Sequence, residues 1–297
     1  MGLNGVDIAS YQKDMRCDKV DADFIIIKAT QGCNYKNPDF SRQAALTVDS
    51  GKLLGAYHYS TGFDPAAEAD YFLSKLGPYI GKAILCLDWE HNEKGGVNPV
   101  FGTAKEVTFV YAFAQRIYEK TRIRPFIYMS ASVTRRHDWS LVAEKFPLWV
   151  AQYPNYNLTG YKSNPWKDNK GLGAWDKYWN GEKIRQYSSC GSIAGYVQTQ
   201  PHKLDLDIAY MTRDEWKKFA TGANAKEDLP VTPKIISEVL ENKYGTGAAR
   251  SANLKAAGYN PTEIQKKINQ LNDIAIKKLK PIKTEVGEYW NCLLDLL

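Results

Sequence analysis

The chain has 297 residues, 44% hydrophobic and 24% charged, with a net charge of +6. That is enough apolar material for a sizeable core in one large or two unequal domains, and it excludes an extended disordered chain. No apolar run approaches the roughly 18 residues of a membrane span. Charges of both signs are interspersed without a basic stripe, so nucleic acid is disfavoured as a partner.

The N-terminus, MGLNGVDIASYQ, has no basic stretch followed by an apolar one, so no signal peptide is read. Val6 also stands where a myristoylation signal after Gly2 needs Ser or Thr. Eight β-rich runs then follow, at 5–10, 24–30, 53–60, 83–90, 125–130, 148–153, 184–189 and 204–210. Several are near-continuous apolar runs, such as FIIIKAT and AILCLDWE, as expected of parallel strands buried on both faces. Helical patterns lie between the early runs: 37–50, with Asn37 as N-cap and Pro38 in the first turn, then 65–76 and 103–120. The alternation predicts an α/β chain with a (β/α)8-like barrel, missing helices in its second half.

The stretch 154–183 reads as a long insertion between two barrel strands, rich in Asn, Lys, Gly and aromatics (Tyr156, Tyr161, Trp166, Trp175, Tyr178, Trp179). Such aromatics either stack on sugar rings or pack a small apolar cluster of their own. The barrel domain is assigned to 1–219 and a small, polar, Pro-containing linker to 220–232. Over 233–272 the apolar period becomes helical, broken near Gly245 and Gly247 and again at Gly258 and Asn260-Pro261, which predicts a small three-helix bundle. The last stretch, 273–297, ends in LLDLL and is left unassigned. Five scattered cysteines without a CxxC pair read as free thiols in a reducing compartment, and four histidines without HxH or HExxH argue against a metal site. No cofactor is expected.

The strongest chemical signal is LCLDWEHN. Asp88 and Glu90 are two residues apart at the end of a predicted strand, so both carboxylates share one face and Trp89 takes the other. In a parallel barrel that strand end opens onto the active face. Adjacent carboxylates in a partly apolar cleft cannot both ionise freely, so one becomes a general acid, as glycosidic cleavage requires. Asp7 in the first strand and Asp205 and Asp207 in the last belong to neighbouring strands and should converge there. Tyr57, Tyr59, Tyr128, Trp149, Tyr153, Gln186 and Tyr187 also fall at strand ends. Together they describe a carboxylate-floored, aromatic-walled cleft suited to a carbohydrate. No phosphate loop, dinucleotide fingerprint or GxSxG elbow competes.

The series GVDIASYQ, GAYHYS, ILCLDWE, LWVAQY, RQYSS and LDLD, in that order over about residues 3–215, resembles the glycoside hydrolase family 25 lysozymes. The resemblance implies a flattened, irregular barrel with fewer than eight helices. It also implies a phage endolysin that cleaves the β-1,4 bond between N-acetylmuramic acid and N-acetylglucosamine in peptidoglycan, with bacterial lysis as the outcome. Carried over by position, Glu90 matches the proton donor, Asp88 its partner carboxylate, and Asp7 and Asp205 two further acids on the floor. Asp205 is taken because the family's acid comes first in a Val-Asp-Leu-Asn-like motif, whose Asn is Asp207 here. Tyr57, Tyr59, Tyr128, Trp149 and Gln186 are the expected substrate contacts. The run VLENKYGTGAARSANLKAAGYNPTEIQKKIN is similar to the CW_7 (Cpl-7-type) cell-wall-binding repeat, with Arg250 and Tyr259 as candidate wall contacts. Bacterial peptidoglycan is the implied partner. A host cytoplasm before holin-dependent release is the implied location.

Two rival readings remain at this point. One is a wall-binding protein whose barrel has lost activity, which the intact acids disfavour. The other is a hydrolase of another N-acetylated glycan. Asp88 is left open between nucleophile, base and a group orienting the substrate's own acetamido oxygen, with substrate assistance favoured. Oligomeric state is not readable.

Overall fold

The computed structural model describes residues 2–91, 98–196, 204–223, 231–257 and 259–279. The chain divides into two compact units, Met1–Asn224 and Ala225–Leu297.

The first unit begins with β1 (Leu3–Ile8), β2 (Phe24–Gln31), the short β3 (Tyr35–Lys36), α1 (Phe40–Asp49), β4 (Leu53–Tyr59), α2 (Pro65–Leu76) and β5 (Ala83–Asp88). It continues with α3 (Glu106–Thr121), β6 (Phe126–Ser130), α4 (Ser140–Ala143), β7 (Leu148–Ala151), α5 (Ala174–Trp179), β8 (Ile184–Gly191), β9 (Leu204–Ala209) and α6 (Arg213–Thr221). Among the described residues, all strands but β3 form a closed barrel, in the order β1-β9-β8-β7-β6-β5-β4-β2, with β1 also paired to β2. The pairs from β1–β2 round to β7–β8 are parallel.

The last strand departs from the sequence expectation. β9 runs antiparallel to both β8 and β1. A parallel final strand would carry Asp205, near its start, to the opposite end of the barrel. The reversal brings it instead to the end where the other strands finish.

Alternation sorts the strands into two layers. Phe24, Ile26, Ile84, Cys86 and Phe126 point into the barrel, while Ile25, Ile27, Leu85, Leu87 and Ile127 face the surrounding helices and loops. Gly5 leaves room for the Phe24 ring, which a Cβ there would meet at 2.3 Å. α6 closes the end where the parallel strands begin. Trp216 and Phe219 enter the interior cluster, and the Trp216 indole N–H donates to the Leu54 carbonyl at 3.2 Å. Ala220 is buried in the same plug, so helix continues into the segment assigned to the linker and stops at Gly222, which takes φ +76°.

α1 begins at Phe40, later than expected, because Asn37 is spent elsewhere. Its buried amide donates to the Lys28 carbonyl (2.8 Å) and accepts from the Asp39 N–H (3.1 Å), fastening the turn after β3 to β2. α2 starts as the sequence suggests, with Asp64 accepting from the Ala67 N–H (2.7 Å) and Pro65 in the first turn.

The second unit comprises α7 (Pro233–Leu240), α8 (Gly247–Ala256) and α9 (Pro261–Leu279). Ile235, Ile236, Val239, Leu254, Ile264 and Ile268 form its core. α9 runs past residue 272 into the stretch left unassigned; residues 280–297, with Cys292, lie outside the described residues. Cys17, Cys86 and Cys190 are buried and Cys33 is exposed, all as free thiols. Among the described residues, no helix is long and apolar enough to cross a membrane.

Candidate active site

The strand-end acids gather on the inner face at one mouth of the barrel. On β5, Ile84 and Cys86 belong to the interior cluster, so the same alternation carries Asp88 inward. Trp89 goes outward, packs on Phe101 and Phe109, and donates its indole N–H to the buried Glu106 carboxylate at 3.2 Å. On β1, Asp7 lies directly opposite Asp205 of β9. Asp207 lies opposite Gly5 on one side and Gln186 on the other. Asp7, Asp88 and Asp207 are buried; Glu90 and Asp205 are partly exposed at the rim.

A chain of hydrogen bonds ties the floor together. The hydroxyls of Tyr128 (2.8 Å) and Tyr153 both donate to Gln186 Oε1. Gln186 Nε2 donates to Asp7 Oδ2 at 2.6 Å, and Trp149 Nε1 donates to Asp207 Oδ1 at 2.8 Å. Among the described residues, Asp88 Oδ1 and Asp207 Oδ2 are buried without a hydrogen-bond partner. The Asp7 charge helps to raise Asp207, which makes Asp207 the acid of the two that keeps its proton.

Burial dominates the electrostatics. It lifts Asp7 to about 6, against the hydrogen bonds from Asp207 and Gln186. It lifts Glu90 to about 7, reinforced by the Asp7 charge and opposed by Lys28. Asp88 is pushed well above the carboxylate range by burial and then by Glu90, with Lys28 pulling the other way. Asp205 and Asp207 are raised by burial and by the charge of Asp7. The mouth therefore retains protons at neutral pH that exposed acids would have lost.

The cation that moderates this crowd was not anticipated. Lys28 follows Phe24 and Ile26 in the inward phase of β2. Its ammonium lies 4.5 Å from the Tyr59 ring centroid and donates to Gln31 Oε1 at 2.7 Å. Burial lowers its pKa, while Asp88 and Glu90 raise it. The signal was present in FIIIKATQ: a lysine in the inward phase of an apolar strand needs a charged partner inside.

Of the expected substrate contacts, Tyr59 and Tyr128 flank Asp88 in register on β4 and β6, and Tyr57 lies two residues before Tyr59 on the same face. Trp149 is corrected. It is 1% exposed, beneath Tyr57 and Tyr128 at ring distances of 6.2 and 4.6 Å, so it supports the floor and offers no surface to a sugar. Tyr187 is corrected as well: it belongs to the outer layer and accepts from the Lys162 N–H.

The model for glycosyl hydrolases family 25 matches residues 6–196, a span that includes Asp7, Asp88 and Glu90. The chain belongs to glycosyl hydrolases family 25. The CW_7 repeat matches residues 234–271. Lysozyme M1 of Streptomyces globisporus is 32% identical over 162 residues, covering 51% of this chain and 55% of that protein, so the chain spans little more than half of that relative. The lysozyme of Streptococcus phage Cp-7 is 27% identical over 277 residues, covering 90% of this chain and 69% of the phage protein. The bacterial lysozyme from Streptomyces coelicolor superposes with a TM-score of 0.60 at 26% identity, over 74% of this chain and 98% of that one.

In this family 25 chain the insertion after β7 divides between the two readings of its aromatics. Trp175 and Trp179 pack inward and donate their indole N–H groups to the carbonyls of Phe146 (2.9 Å) and Ala143 (2.6 Å). Tyr156 and Trp166 stay largely exposed. In the second unit, Arg250 donates to the Gly245 carbonyl (3.0 Å) and to Asn242 Oδ1 (3.1 Å), and Tyr259 packs against the core and the Tyr244 ring. Both therefore hold the turn between α7 and α8 as well as presenting partial surface.

Proposed function

We propose that the chain is an N-acetylmuramidase, hydrolysing the β-1,4 bond between N-acetylmuramic acid and N-acetylglucosamine in peptidoglycan. The supporting observation is Glu90: a rim carboxyl raised to about 7, beside a second, buried carboxyl. It is a proton donor poised for neutral pH. Glu90 protonates the glycosidic oxygen as the C1–O bond breaks. The acetamido oxygen of the sugar that carries C1 closes on C1, while Asp88 Oδ1, without a partner among the described residues, accepts a hydrogen bond from the acetamido N–H. The Glu90 carboxylate then draws a proton from water as that water opens the ring, which leaves a reducing end with retained configuration. Asp7, once ionised, supplies negative charge under the developing oxocarbenium, with Asp205 opposite it on β9 and Asp207 protonated below.

The CW_7 repeat supports delivery of the enzyme to the bacterial cell wall. The likeness to a phage lysozyme supports action at host lysis. Digesting purified Gram-positive walls with wild type and Glu90→Gln, then reducing the new ends with borohydride, tests the reading by mass spectrometry. Reduced muramic acid ends, absent with the variant, are expected. Reduced glucosamine ends would instead mean a glucosaminidase, and no new ends with retained binding would mean a wall-binding protein.

A further inference from the structure

A concavity lies under the insertion that follows β7. The chain leaves β7 at Ala151, passes Tyr153, whose hydroxyl serves Gln186, and folds over a cavity of about 500 Å³. Tyr187 and Ser188, the residues after Gln186 on β8, form one wall. The covering loop is pinned. Thr159 N–H donates to the Cys190 carbonyl at 3.0 Å, Ser192 N–H to the Thr159 carbonyl at 2.9 Å, and Lys162 N–H to the Tyr187 hydroxyl at 3.1 Å. A loop held this way presents its side chains without a large ordering cost.

Those side chains have the chemistry of a saccharide site. Trp166 lines the cavity with 50% of its surface exposed, although Trp175 and Trp179 of the same insertion are packed and hydrogen-bonded. Leu158 is 72% exposed on the rim, and Asn155, Asn157 and Asn164 bring amide donors and acceptors. An open aromatic face ringed by amides suits the apolar face and the hydroxyl and acetamido groups of an N-acetylhexosamine. The charge is the reverse of the mouth's: the lining residues include Lys162 and no acid. A carboxylate-bearing sugar is thus favoured here and repelled by the floor.

We propose that this groove is a second glycan site, which holds a carboxylate-bearing N-acetylhexosamine of the same strand whose scissile bond lies over the floor. The inference rests on the muramidase reading for the identity of the strand. It explains why the insertion begins at a tyrosine bonded to the floor residue Gln186 and keeps one tryptophan open.

The test is calorimetric binding of peptide-free glycan made of alternating N-acetylglucosamine and N-acetylmuramic acid, using the full chain carrying Glu90→Gln so that no cleavage occurs. With an octasaccharide, adding Trp166→Ala should weaken Kd about fivefold to tenfold, the range of one lost stacking contact. With a tetrasaccharide, which fills the mouth alone, Kd should not change. Lys162→Gln should weaken the muramic octasaccharide and leave an N-acetylglucosamine octamer unaffected. An octasaccharide Kd unchanged by Trp166→Ala overturns the site, and equal losses on both octamers with Lys162→Gln overturn its preference for a carboxylate. Unchanged thermal unfolding of the variants separates these results from misfolding. Hydrolysis of walls by the wild type, scored independently, reports on the muramidase reading, so either can fail without the other.

Discussion

Two sets of carboxyls are buried in the barrel unit, and they live in opposite circumstances. Glu68 and Glu106 lie outside the strands, and each is surrounded by donors. Glu68 accepts from His58 Nε2 (3.0 Å), the Thr61 hydroxyl (2.8 Å) and the Phe63 N–H (3.0 Å). Glu106 accepts from Trp89, the Gly102 N–H (2.8 Å) and both Nε (2.9 Å) and a terminal nitrogen (2.7 Å) of Arg136. Burial would raise Glu68, but the His58 bond and charge bring it below its usual value. Asp7, Asp88 and Asp207 lie inside the strands with few donors and with one another for company, and all are raised. Burial alone does not mark a catalytic acid. Burial that is left electrostatically uncompensated does.

The comparison breaks most visibly if the two sets respond alike to substitution. Glu90→Gln should lower kcat by about 100- to 10,000-fold, the usual worth of a positioned general acid. Its thermal stability should hold or rise, because the substitution removes a reluctant charge. Glu68→Ala should do the reverse. It strands the buried His58 and the loop amides after β4, at about 1–3 kcal/mol for each polar group left without a partner. The urea midpoint should fall while kcat per folded molecule changes little. A stable Glu68→Ala protein with lost activity would move Glu68 into the functional set.

The pH profile is the next test. Glu90 must carry its proton and Asp7 must have lost its own, so kcat/KM should rise through about 6 and fall through about 7. A narrow bell is expected. A plateau extending to pH 9 would mean that Glu90 is not the donor.

Much of this was legible in the chain because the relevant periods are short. The two-residue alternation in AILCLDWE puts Asp88 and Glu90 on one face and Trp89 on the other; Ile84 and Cys86 do line the interior and Trp89 the outer layer. All eight expected strands appear within a few residues of their predicted bounds. What was illegible is long-range. LDLDIAY reads the same in either strand direction, and only pairing with β1 and β8 makes it antiparallel. Trp149 looked like a wall residue because strand position gives depth poorly; the Tyr57 and Tyr128 rings cover it. Lys28 is legible in FIIIKATQ as an inward lysine that needs an acidic partner. The likeness to family 25 placed the acids in order, yet its matched span ends at residue 196, before Asp205 and Asp207.

Those two acids give the smallest and sharpest test. They are two residues apart on β9, but Asp205 is partly exposed at the rim while Asp207 is buried under Trp149 and faces Asp7. If Asp207 keeps its proton in the folded chain, it favours folding less and less as pH rises above 3.8, where the unfolded chain releases that proton. Asparagine has the same shape, no proton to lose and an amide that donates to Asp7. Asp207→Asn should therefore unfold at a higher temperature than wild type at pH 8, with the gap closing as pH falls toward 4. The amide donates to Asp7 in place of the Asp207 proton, so the acid limb of kcat/KM should stay near 6. Asp205→Asn should lose activity instead. A Tm difference for Asp207→Asn that stays constant across pH would mean that Asp207 is ionised inside the barrel, and the proton assigned to it would have to be abandoned.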